Sequence, residues 1–414
     1  MPTENQTLRT LAPSERIYID FAKGSAVLAS LTLDCHLDLD KAQRSLQQLI
    51  QSHPLLAATV AAEQQQLSFV TGPTQADIHL INSSDFASVY QDVQNTLLDP
   101  TQALIHCSLA QAEDSQQSYI VFLLHHCVAD GSCAAEFLND FMLMYTAQVT
   151  GSDYQAPAAI ETLCSAPQQS AEDIRAQEQA IVDQLQPIRM PFKPELALTS
   201  KPYMSTINRS LNAQQSRQLI NITKEKGCTV HGVVSAAIIQ AAYQLASAAY
   251  QREELTLCIK YALDIRRRLA TPLPRRQVFA AVTAYNELYT LNQQQSFWQL
   301  AEDTKNKVHH YLDHDGASKS AHAFSARKSV ENANVALMIS NIGQSGIAEQ
   351  YADIGVLDAH VHATVLAPCP VITVLTFNGR IQLDFSFTQP FVPHYATTQI
   401  ADRALDILRT ELIL

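Results

Sequence analysis

The sequence predicts a mixed α/β protein of two domains, and three observations carry that prediction. The chain has 414 residues, more than one ordinary hydrophobic core organises and suited to two of roughly 150 to 220 residues each. Hydrophobic residues make up 47% and charged residues 16%, a balance that folds and does not stay disordered. Strand-like alternation and helix-like periodicity follow one another through both halves in similar proportion, with no short internal repeat. The expected division is a first domain over residues 1–165, a crossover over 166–200 and a second domain over 201–414, with some elements crossing from one to the other.

Taken in order, the alternation from Val27 to Leu37 predicts a strand. Ala42, Leu46, Leu49 and Ile50 then share one helical face between Leu39 and Ser52, and Pro54 stops that helix. Short strands are expected at Leu67 to Val70 and Ile78 to Ile81, followed by a serine-capped helix from about Ser84 to Leu98. Ala103 to Ala110 and Tyr119 to Leu124 are apolar strands, and a helix over about Ser132 to Val149 buries Phe137, Leu138, Phe141 and Tyr145. Pro157, Pro167, Pro187, Pro191, Pro194 and Pro202 punctuate the crossover around a polar helix at Ala171 to Leu185. The second half predicts a strand at Ser205 to Leu211, a helix at Ala213 to Lys226 closed by Gly227, and a buried helix at Val230 to Ala249. Strands at Leu255 to Leu263, Val278 to Leu291 and Val335 to Ser340 surround a helix at Phe297 to Leu312. Asn378-Gly379 between Val371 to Phe377 and Ile381 to Phe387 is the strongest hairpin signal, and Ala396 to Leu412 closes the chain as a helix.

Composition excludes several functions. A formal charge of −12 argues against a protein that binds the nucleic-acid backbone. Glycine, at 11 residues, is scarce, and no glycine-rich phosphate loop is present. The eight cysteines form no C-x-x-C pair and sit mostly in apolar runs, as expected in a reducing compartment. The polar N-terminus lacks a signal-peptide pattern, and the apolar run from Val233 to Tyr250 is broken by Gln240, Gln244 and serines, so it reads as a buried helix and not a membrane span. A monomer of the cytoplasm is expected.

One run carries chemistry: His125-His126-Cys127-Val128-Ala129-Asp130-Gly131, at the exit of an apolar strand and the start of a helix. With 14 His, 23 Asp and 11 Gly, H-H-x-x-x-D-G arises by chance in fewer than about one such chain in a thousand. A strand that turns into a helix presents its last side chains at an edge or crevice. Consecutive strand residues point to opposite faces, so one histidine meets a substrate as base and the other is structural. An imidazole near pKa 6.5 takes a proton from an alcohol or amine at neutral pH, worth about 10² to 10⁴ in rate. Asp130 could hold the imidazole or brace the loop through an arginine, and Gly131 leaves room for close approach. The bland reading has the histidines end a strand while Asp130 caps the next helix. A metal site of His125, His126 and Asp130 is weaker, because adjacent strand histidines diverge.

These residues resemble the signature of the condensation-domain and acyltransferase superfamily, whose fold is similar to that of chloramphenicol acetyltransferase. Other segments follow in the family's order: Leu8-Arg9-Thr10-Leu11-Ala12-Pro13-Ser14-Glu15, Ser52-His53-Pro54-Leu55-Leu56, Ala262-Leu263-Asp264-Ile265-Arg266 with Pro272 and Pro274, and Ser340-Asn341-Ile342-Gly343. It resembles free-standing enzymes similar to phthiocerol dimycocerosyl transferase. The resemblance implies two chloramphenicol-acetyltransferase-like domains forming a pseudo-dimer with a tunnel between them. It implies His126 as general base and His125 as its supporting neighbour. Asp130 becomes a structural anion and Gly131 the close-approach position. Asn341 would hydrogen-bond the reacting carbonyl or its oxyanion, with Ser340 and Gly343 beside it at the substrate. Multimodular relatives carry arginines flanking the Ser52-to-Ala57 segment, one of which pairs with the motif's aspartate. Ser52 and Ala57 cannot do this, so Arg266 is the expected partner of Asp130, besides lying at the substrate, and the departure favours ester formation.

The implied reaction is transfer of an acyl group from a thioester on coenzyme A or a phosphopantetheinyl acyl carrier protein to a small-molecule hydroxyl, less readily an amine. No bound cofactor or metal is expected. An amide-forming condensation enzyme, a non-catalytic module that binds a carrier protein, and a metal-dependent hydrolase are the alternatives. Weaker signals remain. Arg266, Arg267, Arg268, Arg275 and Arg276 could meet phosphates or an acidic carrier, or form a solvated rim. His309, His310, Asp313 and His314 look metal-like but fit a helix end. His360 and His362 share a strand face and could be ligands, although such a pair more often lines a polar channel or faces solvent, and Cys127 suggests packing over nucleophilic chemistry.

Overall fold

The computed structural model describes residues 6–20, 25–63, 66–72, 76–149, 151, 154–165, 167, 169–193, 200–270, 273–313, 315–323, 334–364 and 366–411. Pro194, Pro272 and His314 lie outside them. The chain divides into two compact units. The first comprises Met1–Ser165, Asp264–Val282 and Gln344–Val365; the second comprises Ala166–Leu263, Thr283–Gly343 and Leu366–Leu414. The expected division at residue 165 is therefore only part of the organisation. Two segments expected in the second domain belong to the first unit, and helix Ala171–Leu185, expected in a crossover, belongs to the second. Hydrophobic periodicity reports which face of a segment is buried, not which core buries it.

The first unit is built on a six-stranded sheet, ordered Gln350–Tyr351, Ile354–Thr364, Ala26–Leu33, Ser118–His125, Ile105–Gln111 and Ile78–Ile81, antiparallel except for the parallel last pair. A small sheet of Thr7–Thr10, Gln66–Thr71 and Ala58–Glu63 stands beside it. Ser118–His125 is buried along its whole length, which explains its unbroken apolar run where a half-exposed strand would alternate. Phe122 packs edge-on against Phe137 and Phe141 of helix Gly131–Tyr145 at 5.2 and 5.1 Å. On the other face Val121 and Leu123 join Val89 and Val93 of helix Phe86–Gln94 in one apolar cluster. That helix is capped by Asp85, whose side chain accepts from Ser88 N, and not by the expected serine.

The second unit has its own six-stranded sheet, ordered Val282–Leu291, Leu255–Asp264, Val335–Gln344, Val371–Phe377, Arg380–Gln389 and Tyr203–Ser210. Helix Val230–Tyr250 is apolar enough by length and composition to cross a membrane, but most of it is packed in this unit's core with Ala301, Ile400 and Ala404. The hairpin turn is as expected: Asn378 and Gly379 take φ of 47° and 63°, the left-handed pair that a two-residue turn needs. The expected strand from Val278 begins only at Val282, because the backbone from Phe279 to Ala281 is bonded elsewhere, as described next.

Candidate active site

Strand Ser118–His125 ends at the motif. His125 N donates to the carbonyl of Leu104 at 2.8 Å and His126 N to that of Ser25 at 2.9 Å, so the last ladder bonds fix both histidines. The two rings then have different fates. His125 is completely buried; its Nδ1 accepts from Cys127 N at 3.3 Å and lies 3.0 Å from the Cys127 thiol. Its Nε2 is buried with no partner among the described residues. Burial, then the neighbouring His126, lowers its pKa to about 4, so the ring stays neutral.

His126 is 8% exposed. Tyr18, from the short helix Pro13–Asp20, lies flat on its ring, with centroids 4.2 Å apart and planes 9° from parallel. Its Nδ1 is buried with no hydrogen-bond partner among the described residues. Burial lowers its pKa, and main-chain carbonyls of His126 and Ala129 together with the Asp130 carboxylate oppose that shift.

Asp130 joins two roles. One carboxylate oxygen accepts from Cys133 N at 3.0 Å and caps helix Gly131–Tyr145, with the Asp130 backbone extended as a cap requires. The other accepts from Arg266 Nη1 at 2.7 Å and from Ala281 N at 2.7 Å. Burial alone would push this carboxyl up; Arg266 and the two N–H groups outweigh it and hold it below the usual carboxylate range. Gly131 is the first residue of the capped helix.

Arg266 is thus the partner of Asp130, and the expectation that it also meets substrate is corrected. Its side chain is 2% exposed, against 4% for Asp130. It donates through Nη2 to the carbonyl of Phe279 and faces Asp264 at 3.3 Å. Burial would lower its pKa, but Asp130 raises it, and the guanidinium stays charged. The Phe279 carbonyl and the Ala281 N–H are therefore spent on the ion pair and leave the sheet, which is why the strand begins late. The rest of the arginine cluster is partly neutralised as well: Arg276 lies 3.3 Å from Asp140 and Arg275 3.9 Å from Glu136, both acids on helix Gly131–Tyr145.

His53 was not foreseen as part of this arrangement. It follows helix Leu39–Gln51, stacks on Tyr154 at 4.9 Å and accepts from Val278 N at 3.3 Å, tying down the segment that carries Arg266. Accepting needs a bare nitrogen, and burial supplies it by lowering the pKa to about 4. Tyr18 also left no signal in spacing, although its helix is visibly anchored. Glu15 binds both terminal nitrogens of Arg9 at 2.7 and 2.6 Å, and Ser14 N and Oγ donate to Glu161 at 2.8 and 2.9 Å.

Ser340, Asn341 and Gly343 lie near the end of strand Val335–Gln344 in the second unit. Ser340 is paired with Ala262 in the parallel ladder. Asn341 Oδ1 accepts from Gly343 N at 2.9 Å, which leaves the amide nitrogen, a donor, as its other polar atom. Gly343 has φ of 75°, which makes it a turn requirement. Among the described residues no three His, Cys, Asp or Glu side chains are arranged to hold a metal ion. His362 is 1% exposed and bonds Tyr90 OH at 2.7 Å, so it neither lines a channel nor faces solvent; His360 lies 3.2 Å from Asp358. Cys127 is buried, and burial pushes its thiol far up, away from nucleophilic use.

Comparison with known proteins shows the family and the fold. The condensation-domain family model matches residues 20–254, and the model for the C-terminus of phthiocerol/phthiodiolone dimycocerosyl transferase matches residues 200–386. A phthiocerol/phthiodiolone dimycocerosyl transferase from Mycobacterium tuberculosis is 23% identical over 319 residues, covering 72% of this chain and 71% of its own. Polyketide synthase associated protein 5 from the same organism superposes with a TM-score of 0.74 at 17% identity, covering 98% of this chain and 100% of its own. A trichothecene 15-O-acetyltransferase from Fusarium sporotrichioides gives a TM-score of 0.76 at 12% identity, covering 97% and 94%. The two structural likenesses are likenesses of fold.

Proposed function

The chain belongs to the condensation-domain family, and on that premise we propose that it is an acyltransferase that moves an acyl group from a thioester, on coenzyme A or an acyl carrier protein, to a hydroxyl. One observation carries this reading. Of the ionisable groups in the motif, His125 is sealed and bonded, and both Asp130 oxygens are occupied. His126 is the one left able to exchange a proton.

In the proposed step the acceptor hydroxyl gives its proton to the bare nitrogen of His126 as its oxygen attacks the thioester carbonyl. A new C–O bond forms and negative charge collects on the carbonyl oxygen. Collapse then breaks the C–S bond, and the thiolate takes the proton from the imidazolium. The thioester carrier is a co-substrate that leaves as free thiol. Asp130 and Arg266 hold the loop and exchange no proton.

The name of the Fusarium neighbour, a 15-O-acetyltransferase, describes transfer to oxygen, and the mycobacterial relatives are dimycocerosyl transferases; both support a small-molecule acceptor. The absence of arginines at positions 52 and 57 supports ester over amide formation. Mass spectrometry of products from a panel of acyl thioesters with alcohols and amines tests the proposal. Ester products that need the enzyme are expected. Amides alone would overturn the acceptor assignment, and binding of a carrier protein without any acyl product would overturn the enzymatic reading.

A further inference from the structure

The Pro13–Asp20 helix has only 8 residues, too few to be stable alone in water. The structure nevertheless fastens it at several points. Glu15, 3% exposed, takes a two-pronged bond from Arg9 and a third from Ala12 N at 2.8 Å. Arg9 in turn donates to the carbonyl of Pro157 at 2.8 Å, and Ser14 is held by Glu161. Ile17 is buried. What this anchoring delivers is the aromatic face of Tyr18, set 9° from parallel over the ring of His126.

We propose that Tyr18 is a positioning residue for His126: its ring fixes the plane of the imidazole and stabilises the imidazolium formed during transfer. The first effect is steric. An imidazole turns about χ2 in a broad well, and a flat ring 4.2 Å away leaves only orientations parallel to it, which sets the direction of the ring nitrogens. The second effect is electrostatic. The face of a tyrosine ring is the negative side of its quadrupole, so a cation lying on it is favoured over the neutral form. The other groups bearing on His126 are its own and the Ala129 carbonyl and Asp130, which favour the charged form, and His125, which is neutral. Against them stands burial, which opposes charge. Tyr18 is the aromatic group among these influences, and its contribution is separable by substitution.

The activity arm of the test rests on the proposed acyl transfer, whereas the titration arm needs no substrate. The His126 ring is followed by NMR in full-length protein with histidine labelled at Cε1, its signal identified by loss in His126→Gln. Tyr18→Leu keeps an apolar cover without a π face, and the pKa of His126 is expected to fall by about half to one unit. Tyr18→Phe and Tyr18→Trp keep a ring and are expected to restore the value. With a working thioester assay, Tyr18→Leu is expected to lower kcat about tenfold with little change in KM, and Tyr18→Phe to recover it. An unchanged pKa in a folded Tyr18→Leu protein, or a raised one, would overturn the electrostatic role. An unchanged kcat would overturn the orienting role. Should Tyr18→Leu fail to fold, Tyr18→Trp decides, since a pKa below that of the natural protein in a folded Tyr18→Trp variant contradicts the proposal.

Discussion

Both oxygens of Asp130 are committed, one to the N–H of Cys133 and the other to Arg266 and the N–H of Ala281, and the pair is sealed from solvent. A buried ion pair adds little net stability, but breaking one leaves a charge without solvent or partner, at a cost of about 3–5 kcal/mol. Asp130→Ala is therefore expected to lower the urea midpoint and the activity together. In a double-mutant cycle with Arg266→Met the two losses should be sub-additive by about 1–3 kcal/mol. Unchanged unfolding with activity abolished would instead give Asp130 a chemical role. His126 must be neutral to accept a proton, and burial lowers its pKa below 6.5. The acid limb of kcat/KM is accordingly expected below pH 6.5, with a plateau above; a midpoint well above 6.5 contradicts the assignment. At this scale the motif was legible because its composition is improbable. Arg266 was legible only through the family resemblance, whose arginines are missing at positions 52 and 57. His53 and Tyr18 were not, since a bond to Val278 N and a stacked ring depend on distant segments meeting.

Among the elements, helices and strands were read about equally closely: strands Ile78–Ile81 and Val371–Phe377 have the expected bounds, while helix Phe86–Gln94 stops short of its expected end at Leu98. Ala171–Leu185 was expected with the observed bounds, and Leu39–Gln51 to within a residue, because a helix closes its own hydrogen bonds and signals its caps locally. Strand bounds depend on partners. Val278 to Ala281 look like strand in their apolar sequence, yet their backbone serves Arg266, Asp130 and His53. The strand Ala58–Glu63 and helix Gly316–Ala323 were missed. The Asn378-Gly379 turn was legible because only its φ values join the two strands so tightly. Placing a Cβ at φ of 63° through Gly379→Ala is expected to cost about 1–2 kcal/mol in thermal unfolding, while Asn378→Gly should be close to neutral.

For the whole molecule, crossing of some elements was expected but not which ones: Asp264–Val282 and Gln344–Val365 return to the first unit, one bringing Arg266 and the other the strand that pairs with Ala26–Leu33. Such assignments are long-range, and local pattern carries no address. Titration is also a property of the whole. His53, His125 and His231 have pKa values lowered by burial to about 4, below the 6.5 of an unfolded histidine. The unfolded chain thus binds more protons between pH 6.5 and 4, so the stability these histidines contribute is complete above 6.5 and is lost as pH falls toward 4. Each contributes a slope of up to about 1.4 kcal/mol per pH unit. Asp140, raised by burial to about 6, and Glu161, also raised by burial, act in the opposite sense and offset part of the loss. Urea midpoints are expected to decline from pH 6.5 to 4, and flat midpoints there contradict the burial of these rings. The account rests finally on proton transfer by His126, and the direct measurement is single-turnover acyl transfer by His126→Ala beside its melting curve. The expected result is an unchanged melting temperature with transfer slowed by about 10² or more. Near-normal transfer by the folded variant would contradict it.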